Sequence, residues 1–277
     1  MGHFFADDGT KIHVHISGEG PPIVMLHGWT SSNKEWLPFL PGLTRHHQVY
    51  RWDARAHGVH PEPGGSPPTV QRMARDLHNL LDHYHLSTAV LVGHSMGAMT
   101  LWQYIRDYGC ARIEKVVFVD MSPKLMTDEH WKFGIYGDFD AQRAQDFQAQ
   151  LQTDFVESVL RLGAHGLNQR ARADYAANGK GWERARESLR EQPVEALIAC
   201  WQSLIEADYR SMLDTISVPA LLVWGEHSNF YTTETGRYLS SRIPDAILEI
   251  YEGTDHFPHQ WQRERFVDDL RKFIDIA

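Results

Sequence analysis

The stretch "VLVGHSMGAMTLWQYI", residues 90–105, passes from an unbroken apolar run through Gly93-His94-Ser95-Met96-Gly97 into residues whose apolar side chains recur at helical spacing. A serine with a glycine two positions away on either side suits a sharp turn between a buried strand and a helix. At either glycine a side chain would collide with the neighbouring strand or helix, and the turn lifts the serine hydroxyl clear of the sheet. The five-residue pattern alone occurs by chance in loops; its place between strand and helix marks Ser95 as a candidate nucleophile.

Runs of the same strand-like character recur along the chain: "KIHVHIS" (11–17), "PIVMLHG" (22–28), "HQVYRWDA" (47–54), "TAVLVGHS" (88–95), "KVVFVDMS" (115–122), "ALLVWGE" (220–226) and "AILEIYEG" (246–253). Unbroken Val/Ile/Leu runs indicate strands buried on both faces. Between them Trp36, Phe39, Leu40 and Leu43, and then Val70, Met73, Leu77, Leu80, Leu81 and Tyr84, recur at helical spacing. Strands alternating with amphipathic helices predict a mostly parallel sheet covered by helices on both faces. The link "SGEGPP" is short, so the first two runs are expected to pair as an antiparallel hairpin. Alternation stops at Pro123 and resumes after Ser217. The intervening sequence is rich in Gln, Arg, Glu and Asp and holds amphipathic pieces such as "RAQDFQAQLQTDFVESVLRLGA" and "PVEALIACWQSLIEADYRSML". It exceeds what one crossover requires. The expected division is a core of residues 1–122 and 218–277 carrying a helical cap at 123–217.

Composition narrows the function classes. The 277 residues are 42% apolar, enough for one substantial core with length left for an insertion. A net charge of −9 gives no global attraction to phosphate backbones or anionic lipid, so neither nucleic acid nor a membrane is an expected partner. No apolar run approaches the roughly 20 residues that a membrane span needs, and the amino terminus lacks a basic segment followed by an apolar one. Cys110 and Cys200 lie in apolar helical contexts and read as buried thiols in a reducing cytoplasm. A small-molecule substrate and a monomer or homodimer are the expectations that remain.

A serine hydroxyl needs a base. Of 17 histidines, His256 in "YEGTDHFPHQ" follows the last predicted strand and precedes the carboxy-terminal helix, on the same strand-end side as Ser95. His259 is expected to pack or to start a helix, and His94 to support the fold. Developing negative charge on a carbonyl oxygen needs two N–H donors. The Met96 amide, at the head of a helix, and the Trp29 amide in "HGWTSS" are the expected pair. Among side chains near them, His27, Trp131, Phe133, Tyr136 and Trp201 are plausible substrate contacts. No residue pattern calls for a metal or a cofactor.

In order and spacing, "LHGWTSS", "DARAHG" (53–58), "GHSMG", "LLVWGE" and "GTDHFPH" resemble the α/β-hydrolase superfamily over nearly the whole chain, with Ala56 where the family's D-x-R-G-x-G turn has its first glycine. The resemblance implies an eight-stranded sheet presenting a serine, an acid and a histidine at strand ends. Ser95 in the elbow argues against relatives that place an aspartate there. The family usually sets its acid after the strand corresponding to "LLVWGE", and Ser228 stands in that place. Other branches set it one strand earlier, where this chain has Asp120 at the end of a fully apolar run. A carboxylate there is costly to desolvate without a charged or hydrogen-bonding partner, and His256 would be that partner. Glu226 and Asp255 are the competing acids.

Three functions are compatible with this set. The first is a serine hydrolase cleaving an ester, thioester, lactone or activated C–C bond of a small, partly apolar molecule. The second is a cofactor-independent dioxygenase of N-heteroaromatic, quinolone-type substrates, a branch of the superfamily that uses a His/Asp dyad as base. The third is a non-catalytic ligand-binding relative. Fold alone does not choose among them.

Overall fold

The computed structural model describes residues 2–58 and 65–275. Eight strands form one sheet in the order β1-β2-β4-β3-β5-β6-β7-β8. They are β1 (Gly2–Phe5), β2 (Lys11–Ser17), β3 (Pro22–Leu26), β4 (Gln48–Trp52), β5 (Ala89–His94), β6 (Ile113–Val119), β7 (Ala220–Gly225) and β8 (Ala246–Tyr251). β2 runs antiparallel to both β1 and β4, and every later pairing is parallel.

The expected hairpin between "KIHVHIS" and "PIVMLHG" does not form. β2 pairs with β1 and β4 instead, and β3 lies between β4 and β5. Burial explains the placement. β3 is buried at every position from Ile23 to Leu26 and needs neighbours on both edges and both faces, whereas β2 alternates buried and partly exposed residues. The four-residue β1 is too short to stand out in sequence, yet it supplies the true hairpin partner.

Alternate residues of the central strands feed two cores. Ile23, Met25, Val90, Val92, Val117, Val119, Leu221 and Val223 meet Trp36, Phe39 and Leu43. These last three come from the 3-10 helix Asn33–Phe39 and the short α1 (Leu40–Leu43). The opposite face, with Val24, Leu26, Leu91, Val116, Phe118 and Leu222, is covered by α2 (Val70–His83) and α3 (Met96–Tyr108) and merges into the larger core. Thr69 begins α2 by accepting a hydrogen bond from the Arg72 amide, and Val70, Met73, Leu77, Leu80 and Leu81 form its buried stripe.

Between β6 and β7 the described chain forms α4 (Ala141–Thr153), α5 (Phe155–Ala164), α6 (Gln169–Ala176), α7 (Lys180–Arg190) and α8 (Val194–Glu206), with no strand. Asp140, Asp154 and Asn168 accept backbone N–H bonds that start α4, α5 and α6. After β7 come α9 (Thr233–Arg242), α10 (Pro258–Trp261) and α11 (Arg263–Asp275), and Phe266, Leu270 and Phe273 of α11 complete the first core. Among the described residues no helix is long and apolar enough to cross a membrane.

Candidate active site

β5 ends at His94 and α3 begins at Met96, so Ser95 alone makes the turn, with φ 52° and ψ −116°. That backbone is strained for any residue with a side chain, by about 1–3 kcal/mol. It persists because both flanks are pinned: the Ser95 amide donates to Val119 O at 3.1 Å, and Ser95 O accepts from Ala98 and Met99. The flanking glycines are obligatory for contact reasons. A Cβ on Gly93 would lie 2.5 Å from the Gly97 carbonyl carbon, and one on Gly97 would lie 2.3 Å from Leu26 O. Met96 contributes the first N–H of α3, which has no acceptor within the helix and sits at the positive end of its dipole.

At the end of the adjacent β6, Asp120 takes φ 43° and is fully buried. Its carboxylate accepts from Ser228 Oγ at 3.0 Å through Oδ1 and from the Gly225 amide at 3.2 Å through Oδ2. His256 Nδ1 lies 3.5 Å from Asp120 Oδ1, longer than a well-formed hydrogen bond. Apo sites of this kind commonly tighten only around a reacting substrate. Burial pulls the His256 imidazole below its ordinary pKa and Asp120 opposes this, the balance leaving it lowered. It is therefore neutral, and able to accept a proton, at neutral pH. The two competing carboxylates are occupied elsewhere: Glu226 accepts from the Gly253 amide and lies near His227, and Asp255 accepts from the Phe257 amide.

The loop after β3 closes against the elbow. A Cβ placed on Gly28 would stand 3.4 Å from Ser95 Cβ and 3.1 Å from His94 Nδ1. Trp29 is half-buried, and its indole donates to Leu197 O of α8 at 3.0 Å, which ties this loop to the inserted helices. His27 does not fit the expected role of substrate contact. It is fully buried, Nδ1 lies 2.7 Å from Gly28 O, and Nε2 lies 3.1 Å from the Ala54 amide, so neither ring nitrogen is left for a ligand. Its place is to brace the loop.

The other four aromatics separate into two groups. Trp201 packs on Trp29 at 4.9 Å between ring centroids and on Phe147 at 5.1 Å, while Tyr136 meets Phe230, which contacts the His256 ring at 4.5 Å. These two connect to the site through one aromatic neighbour. Trp131 and Phe133 pack on each other and on Tyr238 of α9, and Trp131 also lies under the Arg210 guanidinium and donates to Lys124 O. Apart from Lys124, which follows Asp120 in the same loop, these partners lie outside the Ser95, Asp120 and His256 loops, and no ring contact joins this pair to the site.

Sequence reasoning passed over two residues here. Asn229 accepts from the His256 amide at 3.2 Å through Oδ1 and donates to Gly163 O of α5 at 2.7 Å through Nδ2. Glu35 is buried behind the elbow, where its carboxylate, His94 and His259 bring one ligating atom each within 4.8 Å of one another. A charged residue on an otherwise core-facing 3-10 helix, next to Trp36, was the signal for Glu35.

A family profile described as the alpha/beta hydrolase fold matches residues 21–262. The chain is 26% identical to a non-heme chloroperoxidase of Kitasatospora aureofaciens over 97% of each chain. It is 28% identical to a pimeloyl-[acyl-carrier protein] methyl ester esterase of Photobacterium profundum, over 96% of this chain and 99% of that one. Among solved structures, an esterase from Exiguobacterium antarcticum superposes with a TM-score of 0.85 at 21% identity, covering 99% of both chains. With the elbow, the strand order and the profile in agreement, the chain belongs to the α/β-hydrolase family and is an enzyme of that family.

Proposed function

We propose that the enzyme is a serine hydrolase acting on carboxylic esters, thioesters or lactones of small, partly apolar molecules. The observation that carries this reading is Ser95, held at φ 52° at the head of α3 with its amide anchored to β6. Ser95 Oγ attacks the substrate carbonyl while His256 takes its proton. Asp120 neutralises the imidazolium from the Nδ1 side. The Met96 and Trp29 amides receive the oxyanion. The leaving alcohol or thiol departs with the proton from His256, and water repeats the sequence to release the acid from the acyl-enzyme. Support from relatives is coarser: the relative from Photobacterium profundum, at 28% identity, is a methyl ester esterase.

A fluorophosphonate probe tests the nucleophile directly. One adduct per chain is expected, located on Ser95 by peptide mass mapping; labelling of another residue, or none in folded protein, removes the reading. Ser228 supplies a second test. Its hydroxyl stands in the position the family usually gives to the acid and donates to the acid one strand away. Loss of one hydrogen bond to a buried carboxylate is expected to lower kcat about tenfold in Ser228→Ala, with KM nearly unchanged. An unaltered kcat would show that Asp120 is held without it.

We read residues 123–217 as a cap that sets substrate choice, because Trp29 and Trp201 meet at the boundary between the oxyanion loop and α8. Asp120 after β6 also suits the dioxygenase reading, in which His256 and Asp120 act as base without an acyl-enzyme, and the variants discussed below separate the two. Cys200 is buried as expected and Cys110 only partly so; both are free, which suits the proposed cytoplasmic setting.

A further inference from the structure

His94 sits between two acceptors. Its Nε2 lies 2.9 Å from the backbone carbonyl of His256, and its Nδ1 lies 2.8 Å from Glu35 Oε1. A carbonyl oxygen only accepts, so Nε2 carries a proton. Nδ1 then faces a carboxylate oxygen at ion-pair distance, off the line of a well-formed hydrogen bond, and a proton on Nδ1 is what makes so close an approach of two buried lone-pair atoms favourable. The other surroundings of Glu35 favour its anion: the Gly28 amide donates to Oε2 at 3.1 Å, and His259 Nε2 lies 3.2 Å from Oε1. Burial alone would neutralise both members. The His94 imidazole nevertheless rests above its ordinary pKa because of Glu35, and Glu35 well below its own because of His94 and His259. His259 is neutral, pushed down to about 4 chiefly by burial. The remaining titratable groups facing the pair are His27 at the end of β3, His256, and Asp120 beyond it.

The pair joins three segments that the proposed reaction needs. Glu35 Oε2 holds the amide of Gly28, immediately before the oxyanion donor Trp29. His94 is the residue before Ser95 and holds the carbonyl of the base. Gln260 Nε2 donates to Glu35 O, which ties the segment after His256 to the 3-10 helix. Resting on the serine-hydrolase reading, we propose that Glu35 and His94 form a buried carboxylate–imidazolium pair that acts as a positioning device, locking the oxyanion loop, the elbow and the His256 loop in register. A proton accounts for the 2.8 Å contact better than a metal ion would, since two ligands about 2.0 Å from one tetrahedral ion stand about 3.3 Å apart.

The charge has a direction as well as a place. The His94 ring stands 4.8 Å from the His256 ring, and a cation there disfavours protonation of the base. Glu35→Gln keeps the shape and removes the charge; His94 then needs only one ring proton. The expected result is a fall in kcat of about a hundredfold with little change in KM, as for a small misplacement of reacting groups. The acid limb of kcat/KM should move to higher pH, because the base is no longer beside an imidazolium. In the unmodified protein, nitrogen NMR at neutral pH should show both His94 ring nitrogens protonated. That readout needs neither turnover nor a variant, so it decides the ionisation even if Glu35→Gln does not fold or the enzyme proves not to cleave esters. One bare ring nitrogen on His94 overturns the pair. So does a Glu35→Gln enzyme with the original kcat and pH profile, and so does one equivalent of tightly bound zinc in purified protein.

Discussion

Ser95→Ala, His256→Ala and the double variant are expected to be equally impaired, each losing kcat by a factor on the order of 10⁴ to 10⁶ on an ester substrate. The reason lies in the coupling of the two side chains. Serine without the base stays protonated and unreactive, and the base without serine has no proton to take, so removing either abolishes the same step. A second removal then costs nothing further. The residual rate would come from the Met96 and Trp29 amides and from substrate binding. The same variants behave otherwise in a cofactor-independent oxygenase. There the base deprotonates the organic substrate itself, so His256→Ala would be far more damaging than Ser95→Ala. An additive double variant, or oxygen uptake by Ser95→Ala at nearly the original rate, would reject the hydrolase reading in favour of the dioxygenase.

Asp120→Asn is expected to lower kcat by roughly 10³ to 10⁴ without unfolding the protein. Asparagine can still accept from the Gly225 amide with its oxygen in the Oδ2 position, while its NH2 in the Oδ1 position can donate to the Ser228 hydroxyl, which turns to accept. Its amide nitrogen would then face His256 Nδ1, favouring the tautomer in which Nδ1 is bare and Nε2 carries the proton, the wrong form for a base acting on Ser95. The compensating charge for the imidazolium is lost at the same time. Glu226→Gln should stay close to the parent enzyme, because Glu226 is bound to the Gly253 amide and its side chain is substantially exposed. Should Glu226→Gln prove the more damaging of the two, the acid has been assigned to the wrong strand.

How much of this was legible in the sequence depended on the range of the interaction that decides each element. The central strands β3, β5, β6 and β7 announce themselves as apolar runs, because burial on both faces leaves no alternation to interpret. β1 does not, and without it the neighbour of β2 was misread: strand order is set by which edges remain free, a property of the whole sheet. Ser95 was visible because the elbow's pattern is local, written in the few residues from Gly93 to Gly97, although Val119 and Leu26 help to enforce it. Asp120 was visible as a carboxylate ending an apolar strand, although its partner Ser228 is far along the chain. His27 looked available because its residue type suits a site, while the Ala54 amide that occupies it comes from the end of β4. Asn229 had no local mark of its own and Glu35 only its charge beside Trp36, since the importance of both arises from groups that folding brings to them.

Asn229 has a practical consequence for anyone exchanging parts between relatives. One side-chain amide touches both the carbonyl of Gly163 in α5 and the amide of His256, and the main chain around it is stitched to the inserted segment by Leu167 N to Asn229 O and by Tyr136 N to Phe230 O. A chimera that takes its helices from one parent and its sheet from another therefore cuts through the support of the base, even with every residue of the elbow intact. Library designs aimed at residues 163–167 will report on turnover as well as on substrate preference. A recombination boundary that keeps residues 227–231 with the helices they bind, from the same parent, respects the joint.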